Sequence, residues 1–229
     1  MSVKPNFDLP RLYVEGENDC RVICALINAL GIELDKDLGP VFVEPKGYCS
    51  ELLQNFELLV KPALSMRRSV GFVLDIDRPE DNRKAQLRDR FAKLGVTLVG
   101  ADFAESGIIK EVEGIKVGVW LMPYPASPSG KLEDFLRALI PAEDRVLPKA
   151  QAYVADVQSS VAQEIRFRDI DREKAELASW LAVQRNPGES PAMAITARQL
   201  HADSPLASAF VGWFRRLYDL DATSDDTKV

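Results

Sequence analysis

The sequence predicts an α/β fold: a mainly parallel sheet flanked by helices, with an antiparallel edge hairpin and a C-terminal helical region. Three observations carry this reading. Short apolar runs alternate with longer stretches of helical spacing, the pattern of a parallel sheet covered on both faces. Two of the runs, Leu12 to Val14 and Val70 to Leu74, stop abruptly in acidic residues. Finally, only Glu113-Gly114 separates Ile108–Val112 from Ile115–Met122, which is a hairpin signal.

The elements follow in order. Leu12, Tyr13 and Val14 form a first strand closed by Glu15, and Gly16 permits a tight turn into a helix that begins near Asn18 and Asp19 and ends at Gly31. Pro40 to Glu44 reads as a second strand. Ser50 is the expected cap of a helix from Glu51 to about Leu64, in which Leu52, Leu53, Phe56, Leu59 and Val60 make a core-facing stripe. The stretch Ser69 to Asp77 supplies the next strand. Asp77 as N-cap, Pro79 in the first turn and Gly95 at the end then mark a further helix. Leu94 to Val99 is expected to add a strand before the hairpin. The proline-rich loop from Pro123 to Gly130 delivers a helix over Lys131 to Ile140. Beyond Pro148 the pattern turns helical: Ala150 to Val161, an extended bridge over Ile165 to Ile170, a helix capped by Asp171, and a last helix from Pro205 to near Leu220. The division expected is a core over 1–148, a helical cap packed on it over 149–220, and a polar, frayed tail over 221–229.

The chain has 229 residues, enough to bury a sizeable core, and its 46% hydrophobic and 28% charged composition is that of a soluble globular protein. No apolar run approaches membrane-spanning length and the first residues lack a signal-peptide core, so the expected location is cytoplasmic, with no membrane partner. Cys20, Cys24 and Cys49 form no CxxC pair and read as small buried side chains. His201 is the only histidine and sits in a polar connection, which disfavours Ser-His-Asp and Cys-His chemistry. Neither GxGxxG nor GxxxxGK[ST] occurs, so nucleotide binding lacks its usual handles.

The acidic strand ends carry the functional signal. In a parallel sheet they lie at the carboxyl edge, where ligands bind. If the two strands are neighbours, Glu15, Asp19, Asp75 and Asp77 converge on one small volume, with Asp75 and Asp77 pointing the same way in extended chain. Such like charges need protons or divalent cations, and a hard cation, Mg²⁺ or Mn²⁺, is the natural occupant. Asp77 has a rival explanation as a helix cap. The net charge of −6 argues against an overall basic nucleic-acid binder but leaves local patches at Arg67-Arg68, Arg78, Arg83, Lys84, Arg88, Arg90 and Arg215-Arg216, each also readable as a solvated face.

Glu15-Gly16 with Asp19, followed later by a strand ending in Asp75-x-Asp77, resembles the signature of the Toprim domain of topoisomerases, primases, RecR-type repair proteins and OLD-family nucleases. Gly130 to Phe135, Trp180 to Gln184, Asn186-Pro187-Gly188 and Phe210 to Leu217 are similar to small standalone Toprim-like proteins. The glycine-rich segment often found between the acidic motifs is represented only by Pro45-Lys46-Gly47.

The resemblance implies metal-dependent phosphodiester hydrolysis of DNA or RNA. Asp75 and Asp77 bind metal, Asp19 supports it, and Glu15 binds metal or serves as general acid/base, in a one- or two-metal displacement. Glu133, in the first turn of its helix, joins the metal set. Lys131 contacts the scissile phosphate or merely pairs with Glu133, with Gly16 and Arg78 as further substrate contacts. Nucleic acid is the expected partner, and a partner ATPase and a homo-oligomer stay open. Two alternatives remain: a non-catalytic Toprim-like subunit of a defence or repair assembly, and a haloacid-dehalogenase-like phosphatase with Asp75 as nucleophile and Asp77 as acid/base.

Overall fold

In the computed structural model, residues 9–34 and 39–220 are described, so the expected tail over 221–229 lies outside the described residues. Five strands form one sheet in the order β2-β1-β3-β5-β4. β1 (Arg11–Val14) lies between β2 (Phe42–Pro45) and β3 (Val70–Asp75), parallel to both, and β3 pairs in parallel with β5 (Ile115–Met122). β4 (Ile108–Val112) closes the edge antiparallel to β5 through the predicted turn at Glu113-Gly114, both of which adopt positive φ. The fold is thus mixed α/β, with one antiparallel strand pair and helices on both faces.

Alternation along the strands assigns the faces. Tyr13, Phe72, Leu74, Val119 and Leu121 point into one core. It is covered by α2 (Cys49–Gln54), α3 (Phe56–Met66) and α4 (Arg83–Lys93). Leu12, Val14, Val73, Trp120 and Met122 point into the other. That face carries α1 (Glu17–Ala29), α5 (Leu132–Ala138), α6 (Leu147–Ser160), α7 (Arg172–Leu181), α8 (Pro191–Thr196) and α9 (Pro205–Tyr218). α9 lies against β3 and β5 because Gly71 and Gly118 leave it room: a Cβ on either would stand 2.8 or 2.6 Å from Leu217 Cδ2. At its end the Tyr218 hydroxyl donates to Arg11 O at 2.6 Å.

Several expectations need correction. The helix expected over Glu51 to Leu64 is two helices: Asn55 departs from helical geometry (φ −98°, ψ 12°) and its side chain donates to Glu51 O. Phe56 then turns inward against Phe72 and Phe91, at 4.4 and 5.3 Å between ring centroids. Ser50 lies inside α2, and Tyr48 holds the N-cap position. Leu94 to Val99 forms no strand. The N–H groups of Leu94 and Val96 both return to Phe91 O as the end of α4, and β4 already occupies the sheet edge. The extended bridge expected over Ile165 to Ile170 is shorter than that: Arg166 and Arg168 are extended, between the 3-10 turns Gln163–Ile165 and Asp169–Asp171. Asp77 caps no helix: Pro79–Asp81 forms a 3-10 turn, and α4 starts only at Arg83, after Asn82 in the left-handed region. α8 was not anticipated, although Ser190, whose hydroxyl accepts from Met193 N–H, and Pro191 are ordinary helix-start signals. Among the described residues no helix is long and apolar enough to cross a membrane.

Candidate functional site

The ends of β1 and β3 are neighbours, and their acids meet. Glu15 Oε1 accepts the Asp75 backbone N–H at 2.9 Å, tying the first strand exit to the second. Asp75 Oδ1 accepts the Leu132 N–H at 3.0 Å, so the first turn of α5 is drawn onto the β3 carboxylate. Asp19 sits one turn into α1 and its Oδ2 accepts the Gly16 N–H at 3.3 Å. Glu133 follows from α5, 3.6 Å from Lys174 Nζ of α7. Glu15, Asp19, Asp75, Asp77 and Glu133 line a single cleft of about 780 Å³ at the carboxyl edge of the sheet. Its far wall comes from α7 and the segment before it, including Ile170, Asp171, Lys174 and Leu177.

Crowded burial raises the proton affinity of these acids. Glu15 is pushed up to about 7, first by loss of solvent and then by the charges of Asp19 and Asp77, against backbone N–H donors that favour the ionised form. Asp75 lies well above the ordinary carboxylate range, again through burial, then through Glu15, Asp19, Glu133 and Asp77. Asp19 is raised chiefly by burial. The rear of the cluster is closed by Cys49, whose thiol donates to Asp75 O at 3.6 Å and is held protonated by burial.

The remaining expected site residues divide. Gly16 lies in the cleft, as N-cap of α1. Asp77 lies at its rim, but the extended register that would aim it alongside Asp75 fails, because its φ is +61°. Its backbone exchanges two 2.9 Å hydrogen bonds with Gly130, and its carboxylate is paired with Arg83 at 2.9 Å. Lys131 lines the cleft with its ammonium on Ile170 O at 3.2 Å. Arg78 is exposed beside Glu80 and belongs to a neighbouring hollow shared with Tyr124 and Ser129. Most of the other basic candidates hold structural contacts: Arg67 on Glu113 O, Arg90 on Glu57, Arg88 over the Phe103 ring, Arg215 on Leu30 O and Arg216 on Ser106 O. His201 is exposed, and its N–H donates to Leu139 O.

Sequence reasoning missed three contributors: Lys174, Cys49 and the Leu132 amide. Lys174 and Cys49 carry no local motif, while the amide was implied by the expected helix start. As a metal site the donor chemistry fits a hard cation, since the set is carboxylate oxygen whose charge is offset, among the described residues, only by Arg83 on Asp77 and Lys174 on Glu133. The spacing is open: among the described residues, no three acidic, histidine or cysteine side chains form a group able to hold a metal ion.

Fold and site define a mixed α/β protein with a half-buried acidic cleft at the carboxyl edge of a mostly parallel sheet. The chain belongs to the family described as protein of unknown function (DUF3226), which it matches over residues 10–219. No curated protein and no solved structure matches it.

Proposed function

We propose that this protein performs divalent-metal-dependent phosphodiester hydrolysis on nucleic acid, as a Toprim-like nuclease. The observation that carries the reading is the meeting of Glu15 and Asp75 across adjacent parallel strands, inside a cleft also reached by Asp19 and Glu133. A carboxylate cluster that retains protons near neutrality has a deficit of positive charge, which a cation and a phosphate together would satisfy. Glu15, Asp19, Asp75 and Glu133 are the residues that would hold Mg²⁺ or Mn²⁺. When bound, such an ion neutralises the phosphate and lowers the pKa of a coordinated water. Glu15 either holds the ion or, placed at the strand exit beside Asp75, accepts a proton from the attacking water. The Leu132 N–H keeps Asp75 aimed into the cleft, and Lys131 and Lys174 flank the space a phosphate would fill. Asp77 keeps its carboxylate on Arg83 and orders the loop behind the acids.

A second reading is a non-cleaving subunit that binds nucleic acid or a partner ATPase. It is favoured by the protein's own cations, Arg83 on Asp77 and Lys174 on Glu133, which already serve as counter-charges. The deciding experiment is cleavage of single- and double-stranded DNA and RNA in Mg²⁺ and Mn²⁺, alongside Glu15→Gln and Asp75→Asn. Both variants are expected to stay folded and to lose at least about 100-fold in rate. Wild-type protein that binds nucleic acid without cutting it would select the second reading.

A further inference from the structure

We infer that the cleft takes an unpaired nucleic-acid strand and that Tyr48 is the surface on which a base stacks; this rests on the nuclease reading. Tyr48 is 77% exposed, the most exposed aromatic side chain among the described large hydrophobic residues, and it lines the same cleft as Glu15 and Asp75. Its backbone is fixed although its ring is free. Gly47 before it adopts φ +99° and donates its N–H to Glu15 O at 2.8 Å, while Tyr48 O accepts the N–H groups of Glu51 and Leu52 at the start of α2. The Cα of Tyr48 is therefore held at the lip of the cleft by the bond that joins its loop to the acidic strand end, while the ring turns about its side-chain torsions. A φ of +99° is a conformation that L side chains rarely adopt, so the backbone that presents Tyr48 depends on glycine at position 47.

The size of the cleft points the same way. About 780 Å³ lies within the range of pockets that enclose small ligands, roughly 300–1,000 Å³. That is room for a nucleotide or two of unpaired strand. The acids stand inside this space, so a phosphodiester reaches them when its flanking bases are unpaired and free to separate. An aromatic ring at the lip then offsets lost base stacking without reading sequence, as on other single-strand platforms. A protein with a net charge of −6 gains little from general attraction to phosphate, which gives such a contact more weight.

The test measures binding apart from cleavage. Fluorescein-labelled oligo-dT and a blunt duplex of equal length are titrated by anisotropy with Ca²⁺ in place of Mg²⁺ against wild type, Tyr48→Ala and Tyr48→Phe. Wild type is expected to prefer the single strand. Tyr48→Ala should weaken that binding about tenfold, with Tyr48→Phe within about twofold of wild type. Single-strand affinity unchanged in Tyr48→Ala, or a wild-type preference for duplex, overturns the inference. A cleavage assay on the same proteins separates the two levels. Cutting that persists with stacking absent leaves the nuclease standing without Tyr48. Tyr48-dependent binding without cutting by wild type removes the nuclease and leaves a single-strand binder.

Discussion

At the scale of single residues, the acids at the sheet edge set up a conflict between folding and charge. Burial raises Glu15 from an ordinary 4.5 to about 7. In metal-free protein the folded state therefore keeps a proton that the unfolded chain has already released between those values. Stability contributed by the protonated form is fully present below about 4.5 and is lost as pH rises through about 7. Glu15→Gln retains an oxygen for the Asp75 N–H but cannot ionise. By urea denaturation in EDTA, it should exceed wild type by about 2–3 kcal/mol near pH 8 and nearly match it near pH 4.5. An equal difference at both pH values would show that the ionisation of Glu15 is not the source. The acids themselves were legible in the sequence because strand ends in acid are a positional signal. The aim of Asp77 was not, since a left-handed aspartate two residues past the strand depends on its bridge to Gly130, far away in the chain.

At the scale of elements, the strands and their order of appearance followed from apolar periodicity, and the edge hairpin followed from one dipeptide. What periodicity could not supply was the seating of α9. The stripe of Phe210, Trp213, Phe214 and Leu217 announces a buried helix but not its partner. The partner is marked by Gly71 and Gly118, on the same face of adjacent strands, which read alone as weak strand residues. Gly118→Ala places a methyl 2.6 Å from Leu217 Cδ2 and should cost about 1–3 kcal/mol, measured by chemical denaturation. A neutral result would mean that α9 can shift on the sheet without loss. The break at Asn55 was equally hidden, because both halves of the expected helix carry apolar spacing and only the burial of Phe56 decides where the chain bends.

For the whole molecule, the carboxyl-terminal helices are structural partners of the sheet and also one wall of the cleft. Trp120 of β5 meets Phe210 and Trp213 of α9 at 5.3 and 5.8 Å between ring centroids, and the Trp213 indole donates to Ile108 O of β4 at 3.0 Å. A chain ending at residue 148 would keep α1 and α5 on that face of the sheet but expose the part around Trp120, Gly71 and Gly118 on which α9 lies. It is expected to lack cooperative unfolding and near-ultraviolet aromatic dichroism, although it keeps every acid at the strand ends. A cooperatively folded 1–148 fragment would show that the sheet stabilises itself. This interdependence was only half visible in the sequence: composition marked a helical region, but Ile170 and Lys174 enter the cleft through tertiary packing that no local pattern records.

The paired backbone bonds between Asp77 and Gly130 act as a rivet between the exit of β3 and the residue before the N-cap of α5. Because Gly130 takes its place from that rivet, the peptide that opens α5 is located by the β3 exit and not by the proline-rich passage leading up to it. The passage is thereby relieved of aiming the helix, and substitution at its exposed residues Ala126 and Pro128 is expected to leave the amide on Asp75 at its post, while Pro125 and Ser127 stay buried.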